Sequence, residues 1–155
     1  MIFAALRFFY GLAVGTWVDR LIIDKLTVGV AVAVIDTIDH GSGVLAAGSR
    51  LTSPDGGINI LNGCEGMDVV LLLTSAMLVA PIPVSRRILG VLAGCLAVFV
   101  LNQARVLMLF YAIRHDRALF ETLHTVVTPL MLIVAAGVFF VGWLDRFGGT
   151  SRALA

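Results

Sequence analysis

The run ILGVLAGCLAVFVLNQARVLMLFYAI, from Ile88 to Ile113, decides the fold class, because Arg105 is its single charged residue. At a helical rise of about 1.5 Å per residue it is long enough to cross a hydrocarbon layer of about 30 Å. Working outward, Val69 to Ser85 holds no charge, and Thr122 to Leu144 holds none either, with His124 near its start. Met1 to Val18 is broken only by Arg7, close enough to an end for the guanidinium to snorkel to the interface. A cleaved signal peptide competes for this last segment. Its charge falls inside the would-be apolar region, however, and no small-residue cleavage site precedes Asp19 and Arg20, so the segment is expected to stay as an anchor. The expectation is an all-α integral membrane protein, a bundle of about four transmembrane helices in one domain over 1–155, with spans at 1–18, 64–85, 88–113 and 121–144.

Composition agrees. A chain of 155 residues would suit one modest soluble domain, but 59% hydrophobic residues, 14% charged residues and a mean hydropathy of +1.01 do not fit water. A net charge of +1 supplies no basic field for DNA or RNA, which argues against nucleic-acid partners. Two cysteines, Cys64 and Cys95, and three scattered histidines give neither a disulfide framework nor a metal-ligand spacing, so no cofactor and no metal is expected.

Residues 19–63 differ in character and are expected outside the membrane. Leu26 to Ile35 is apolar but too short to span, which suggests an interfacial helix lying on the outer face. Ser53 to Gly57, SPDGG, is turn chemistry and predicts a small β-hairpin before Cys64. GLAVG (Gly11 to Gly15) and GVLAG (Gly90 to Gly94) match the small-xxx-small helix-packing pattern. With the N-terminus inside, the short inner segments 1–7, 85–87 and 145–155 carry Arg7, Arg86, Arg87, Arg146 and Arg152. The much longer outer segments 19–68 and 114–122 carry only as many cations, Arg20, Lys25, Arg50, Arg114 and Arg117. That difference in density favours both termini in the cytoplasm.

Helical rise then sets depth. Cys64 precedes Arg86, and His124 precedes Arg146, by a distance of about 33 Å if each stretch is helical, while Arg105 stands about 27 Å beyond Arg87. A thiol, a guanidinium and an imidazole therefore reach one level near the outer boundary. Cys95 sits only about 12 Å up from Arg87, out of disulfide reach of Cys64. Taken singly, Cys64 could be a packing residue, Arg105 a snorkelling anchor and His124 an interface histidine. Together, Cys and His are the minimum apparatus for nucleophilic acyl transfer, and arginine can hold an oxyanion. Cys64 is expected to open the second span, where a helix N-terminus favours the thiolate. Asn102 and Glu121, each one turn before Arg105 or His124, are candidate orienting partners. Glu65 would oppose the thiolate and is expected to point away from it. His40 and His115 are assigned to surface loops.

NGCEGMDVVLLL (Asn62 to Leu73), a Pro-containing turn with Arg86 and Arg87, LNQARVLMLFY (Leu101 to Tyr111) and LFETLHTVVTPLMLI (Leu119 to Ile133), in that order, resemble the exosortase/archaeosortase family of membrane cysteine transpeptidases. The likeness is to its short members of the exosortase H and exosortase M types, and it runs from about position 50 to position 146. The chain before Arg50 matches only in being hydrophobic. The resemblance implies Cys64 as nucleophile, Arg105 as the essential arginine and His124 as general base or acid. It also implies substrates that are exported proteins with a C-terminal motif, transmembrane helix and basic cluster, and a multi-pass enzyme in the bacterial inner membrane with its site facing the periplasm. Many relatives carry Ser or Asn where this chain has Glu65, and the longer ones have about twice as many spans. Two other readings compete: a non-enzymatic accessory subunit or small-molecule channel, with Arg105 and His124 lining a polar cavity, and a quinone-linked thiol oxidoreductase, which the unequal depths of the two cysteines weaken.

Overall fold

The computed structural model describes residues 1–54 and 56–148. Seven α-helices and one small sheet make up the described fold. Helix α1 covers Ile2–Ala13, and Thr16 caps α2, Trp17–Arg20, by accepting the Val18 N–H. The chain continues without a break through a wide π-helical stretch, Leu21–Gly29, into α3, Val30–Ile38. Strands β1 (Leu45–Ala47), β2 (Arg50–Ser53) and β3 (Gly56–Asn59) form an antiparallel meander in the order β1-β2-β3. Then come α4 (Met67–Val79), α5 (Val84–His115), α6 (Arg117–Thr122), a second π stretch (Leu123–Val127) and α7 (Thr128–Phe147).

Among the described residues two helical runs are long and apolar enough to cross a membrane, Val84–His115 and Arg117–Phe147, each holding an 18-residue stretch whose mean hydropathy is 1.9 and 2.2 respectively. Both outrun the segments 88–113 and 121–144 expected from charge alone, because Arg and His end a hydrophobic segment without ending a helix. Only Asp116 parts them, its carboxylate accepting the Ala118 N–H. His115, expected in a loop, is the last residue of α5. The segments 1–18 and 64–85 yield shorter helices of 12 and 13 residues. Gly15, at φ +79°, turns the chain just after α1, and Ala80 is extended before Pro81, which stops α4. Cys64 therefore lies in the turn before α4 and does not open a helix. The helix expected over Leu26 to Ile35 is part of a longer run, Trp17 to Ile38, and the hairpin has gained a third strand, β1.

Two apolar cores are strung along α5. At one end Val106, Leu109 and Phe110 meet Ile23, Val28, Ala31 and Ile35 of the first half and Leu51, Ile58 and Ile60 of the sheet. At the other, Val98 meets Leu73 and Met77 of α4 and Ala136 of α7. Between the cores α5 buries a polar layer of Asn102, Gln103 and Arg105. Gln103 Nε2 donates to the Leu26 carbonyl at 2.9 Å, tying the π stretch to α5.

Gly90 and Gly94 bring α4 and α7 close to α5. A Cβ at Gly94 would stand 2.5 Å from Leu73 Cδ2 and 3.0 Å from Phe139, and one at Gly90 would stand 2.7 Å from Trp143 Nε1. Gly11, in the other small-residue motif, has no atom within 4 Å of its Cβ position. Gly94→Val is therefore expected to destabilise the bundle by about 1–3 kcal/mol through overpacking, and Gly11→Val to stay within about 0.5 kcal/mol of the parent. Thermal unfolding in detergent checks both. Equal melting of the two variants would refute close packing at Gly94.

Candidate active site

Cys64, Arg105 and His124 come from three separate elements and line one slot. Cys64 is held in its turn by its own N–H, which donates to the Leu61 carbonyl at 2.9 Å. Gly66 follows at φ +82°, and a Cβ there would press on the Asn102 side chain at 3.1 Å. Both observations call for glycine, and both bring the cysteine turn against α5. Arg105 rises from the polar layer of α5 and is only 4% exposed, so it does not reach out to water as a snorkelling side chain would. His124 sits on the π stretch, the kind of local widening that often marks functional positions.

Ile58, Asn59 and Ile60 of the β3 segment, Val106 and Leu109 of α5, and Phe120 of α6 complete the lining. The slot is narrow, with an empty volume of about 280 Å³ including its open mouth. Arg105 Nε, His124 Nδ1 and Asn102 Oδ1 are buried without hydrogen-bond partners. Unpaired buried polar atoms are costly, and the two on slot residues, Arg105 Nε and His124 Nδ1, leave hydrogen-bonding capacity to be satisfied from outside. Among the described residues no three of His, Cys, Asp or Glu converge.

The orienting partners read from helical spacing fare unevenly. Asn102 is 2% exposed and packs on Gly66, so it braces the cysteine turn. Glu121 projects away, its side chain 66% exposed, and pairs with Arg117 at 3.5 Å. The neighbour of His124 is instead Phe120, whose ring stacks on the imidazole with centroids 5.5 Å apart and planes 5° off parallel. Spacing does not separate these, since Phe120 and Glu121 both lie about one turn before His124. Glu65 is buried but is not among the slot residues. Its Oε1 accepts the Tyr10 hydroxyl at 2.9 Å, so the carboxylate is held by α1.

Tyr10 makes one of three contacts from α1 and α2 to this turn and the first turn of α4, none of them visible in the sequence. Asp19, itself buried, accepts from Asn62 Nδ2 at 2.8 Å and from the Gly15 N–H at 2.9 Å. Arg7 pairs with Asp68 at 2.7 Å across half-exposed side chains, where snorkelling was expected. The N-terminal helices thus grip the turn on both sides of Cys64. Cys95, the other free thiol, is partly buried on α5 and does not line the slot.

Comparison with known families decides the kinship. The family model described as transmembrane exosortase matches residues 1–141. The chain belongs to the transmembrane exosortase family. The match starts at Met1, so the chain before Arg50 is part of the family unit and not merely a hydrophobic preface. As an exosortase-family protein with two apolar helices of spanning length, this is a membrane protein. No curated protein and no solved structure matches the chain.

Proposed function

We propose that this exosortase-family protein is a membrane cysteine transpeptidase that cleaves the C-terminal sorting signal of exported proteins. The observation that carries the reading is the single slot lined by Cys64, Arg105 and His124. His124 takes the thiol proton, and the Cys64 sulfur attacks the scissile carbonyl. The oxyanion that forms is held by the Arg105 guanidinium. As the C–N bond breaks, the imidazolium returns its proton to the leaving amine, and the acyl group stays on sulfur as a thioester. An acceptor amine or water then attacks that carbonyl, losing its proton to His124, and the thiol is restored. Asn102 and Glu65 act by positioning: Asn102 packs under Gly66, and Glu65 is turned from the thiol by Tyr10. Glu121 has no part in this scheme.

The same reading sets α1 and α4 in the membrane beside the two long runs, in the bacterial inner membrane, with the C-terminus cytoplasmic and the slot facing the periplasm. Helix α1, about 18 Å long and paired beside the slot through Arg7 and Tyr10, lies on the slot's side, so Arg7 does not count among the inner cations. Exposed apolar side chains on both short helices, Phe8, Phe9 and Leu12 on α1 and Leu72, Leu78 and Val79 on α4, support burial in lipid. An inner belt is supported by Arg86 and Arg146, which both lie over the Phe147 ring, beside Trp143. An alkaline phosphatase fusion after Leu144 is expected to be inactive. An active one would put the slot on the cytoplasmic side.

The direct test is to stall turnover with acceptor withheld and map adducts by intact-mass and peptide mass spectrometry. A peptide thioester on Cys64 is the expected product. An unmodified Cys64 beside normally processed substrate would defeat the acyl-enzyme mechanism.

A further inference from the structure

Side chains alternate across a strand, so a cavity touched by consecutive residues meets that strand at its rim rather than over one face. Ile58, Asn59 and Ile60 all line the slot. The strand concerned, β3, is the last of its sheet and, among the described residues, pairs only with β2. Its hydrogen-bonding register fixes which backbone groups are free. The Ile60 N–H donates to the Ser49 carbonyl, and Leu51 is opposite Ile58, so these are the residues that bond across to β2. Gly57 and Asn59, between them, turn their N–H and C=O outward. The next outward carbonyl, that of Leu61, accepts the Cys64 N–H. The free edge therefore runs straight into the turn that carries the thiol.

We propose that the segment of substrate to be cut binds as an extended strand added to the outer edge of β3, which carries its scissile carbonyl to Cys64. This rests on the acyl-transfer reading of Cys64 and adds to it the mode of recognition. An unpaired strand edge offers alternating donors and acceptors that any peptide backbone can meet, leaving selectivity to alternate side chains. Those facing the slot floor would meet Val106 and Leu109, so the motif should hold apolar residues at every second position there. The slot must widen to admit a strand, and the least tightly held part of its lining comes from α6 and the Leu123–Val127 stretch, where Phe120 and Leu123 rest partly buried on the core and no residue is fully buried. The edge of β1 is also exposed, but two strands separate it from Cys64.

The test uses the full-length protein in membranes and a synthetic peptide spanning the segment that mass spectrometry maps on Cys64. Each backbone N–H of the peptide is blocked in turn by N-methylation, and adduct formation on Cys64 is timed. Strand addition expects a period of two, with losses of about tenfold at alternate residues and within about twofold between them. A response without that period overturns strand addition while leaving acyl transfer intact. If no peptide forms an adduct, both readings fall. Asn59→Pro is the second arm, since it deletes an outward N–H at a position where an edge strand tolerates proline. It is expected to slow adduct formation about tenfold more than Asn59→Ala, which removes the slot-lining side chain but keeps the outward N–H. Equal rates for the two variants overturn the proposal. Should Asn59→Pro fail to accumulate, the N-methyl scan alone decides.

Discussion

Arg105→Lys is expected to lower substrate processing by about two to three orders of magnitude, the usual loss when one oxyanion donor is removed. Charge is kept in this variant, so a general electrostatic role would survive it. What changes is shape: guanidinium presents a planar fork of donors, whereas ammonium is one strongly hydrated point charge. The arginine is 4% exposed and has an unpartnered Nε, so it has no route to water and keeps a donor free for a ligand. Lysine in the same buried layer loses both hydration and geometry. Arg105→Ala should lose at least as much. Alkylation of Cys64 should persist in both variants, since the cysteine turn is held by contacts to Asn102, Tyr10 and Asp19 rather than to Arg105. Near-normal processing with lysine would make the arginine an anchor and remove it from the mechanism.

The largest effect belongs to Cys64. Ala or Ser there should abolish processing while the protein accumulates normally in the membrane, because a partly buried thiol in a turn contributes little packing but supplies the covalent step. Serine is the sharper variant. It nearly preserves volume, yet its alcohol stays protonated where a thiol can ionise. Cys95→Ala is the matched control: it is equally free and partly buried but outside the slot, so processing should continue. Quantitative immunoblotting of precursor, product and enzyme reads all three variants together. Tolerance of Cys64→Ser would favour the accessory-subunit reading, in which the slot is a polar cavity without chemistry.

Local composition determined what is local. The long apolar runs over 88–113 and 121–144 identify helices long and apolar enough to cross a membrane, since that property depends on uninterrupted hydrophobicity and on nothing elsewhere in the chain. Residue type and order singled out Cys64, Arg105 and His124 as candidates, because few side chains can act as nucleophile, oxyanion holder and proton carrier. Other features depend on partners far away in sequence. Tyr10 meets Glu65 across 55 positions, Asn62 meets Asp19 across 43, and Gln103 meets the Leu26 carbonyl across 77, and none of these leaves a periodic trace. Helical spacing singled out Glu121 beside His124, and the packing turned it to solvent and stacked Phe120, a residue the spacing reading missed, on the ring. Depth along straight helices put the three reactive groups at one level, although α4 proved too short for that ruler. Their convergence in one slot follows instead from the turn at Gly66, which leans on Asn102, and from the β3 segment, which adds Ile58, Asn59 and Ile60 to the lining. Such contacts are set by the shape of the folded chain, where burial and close approach are decided between elements and not within them.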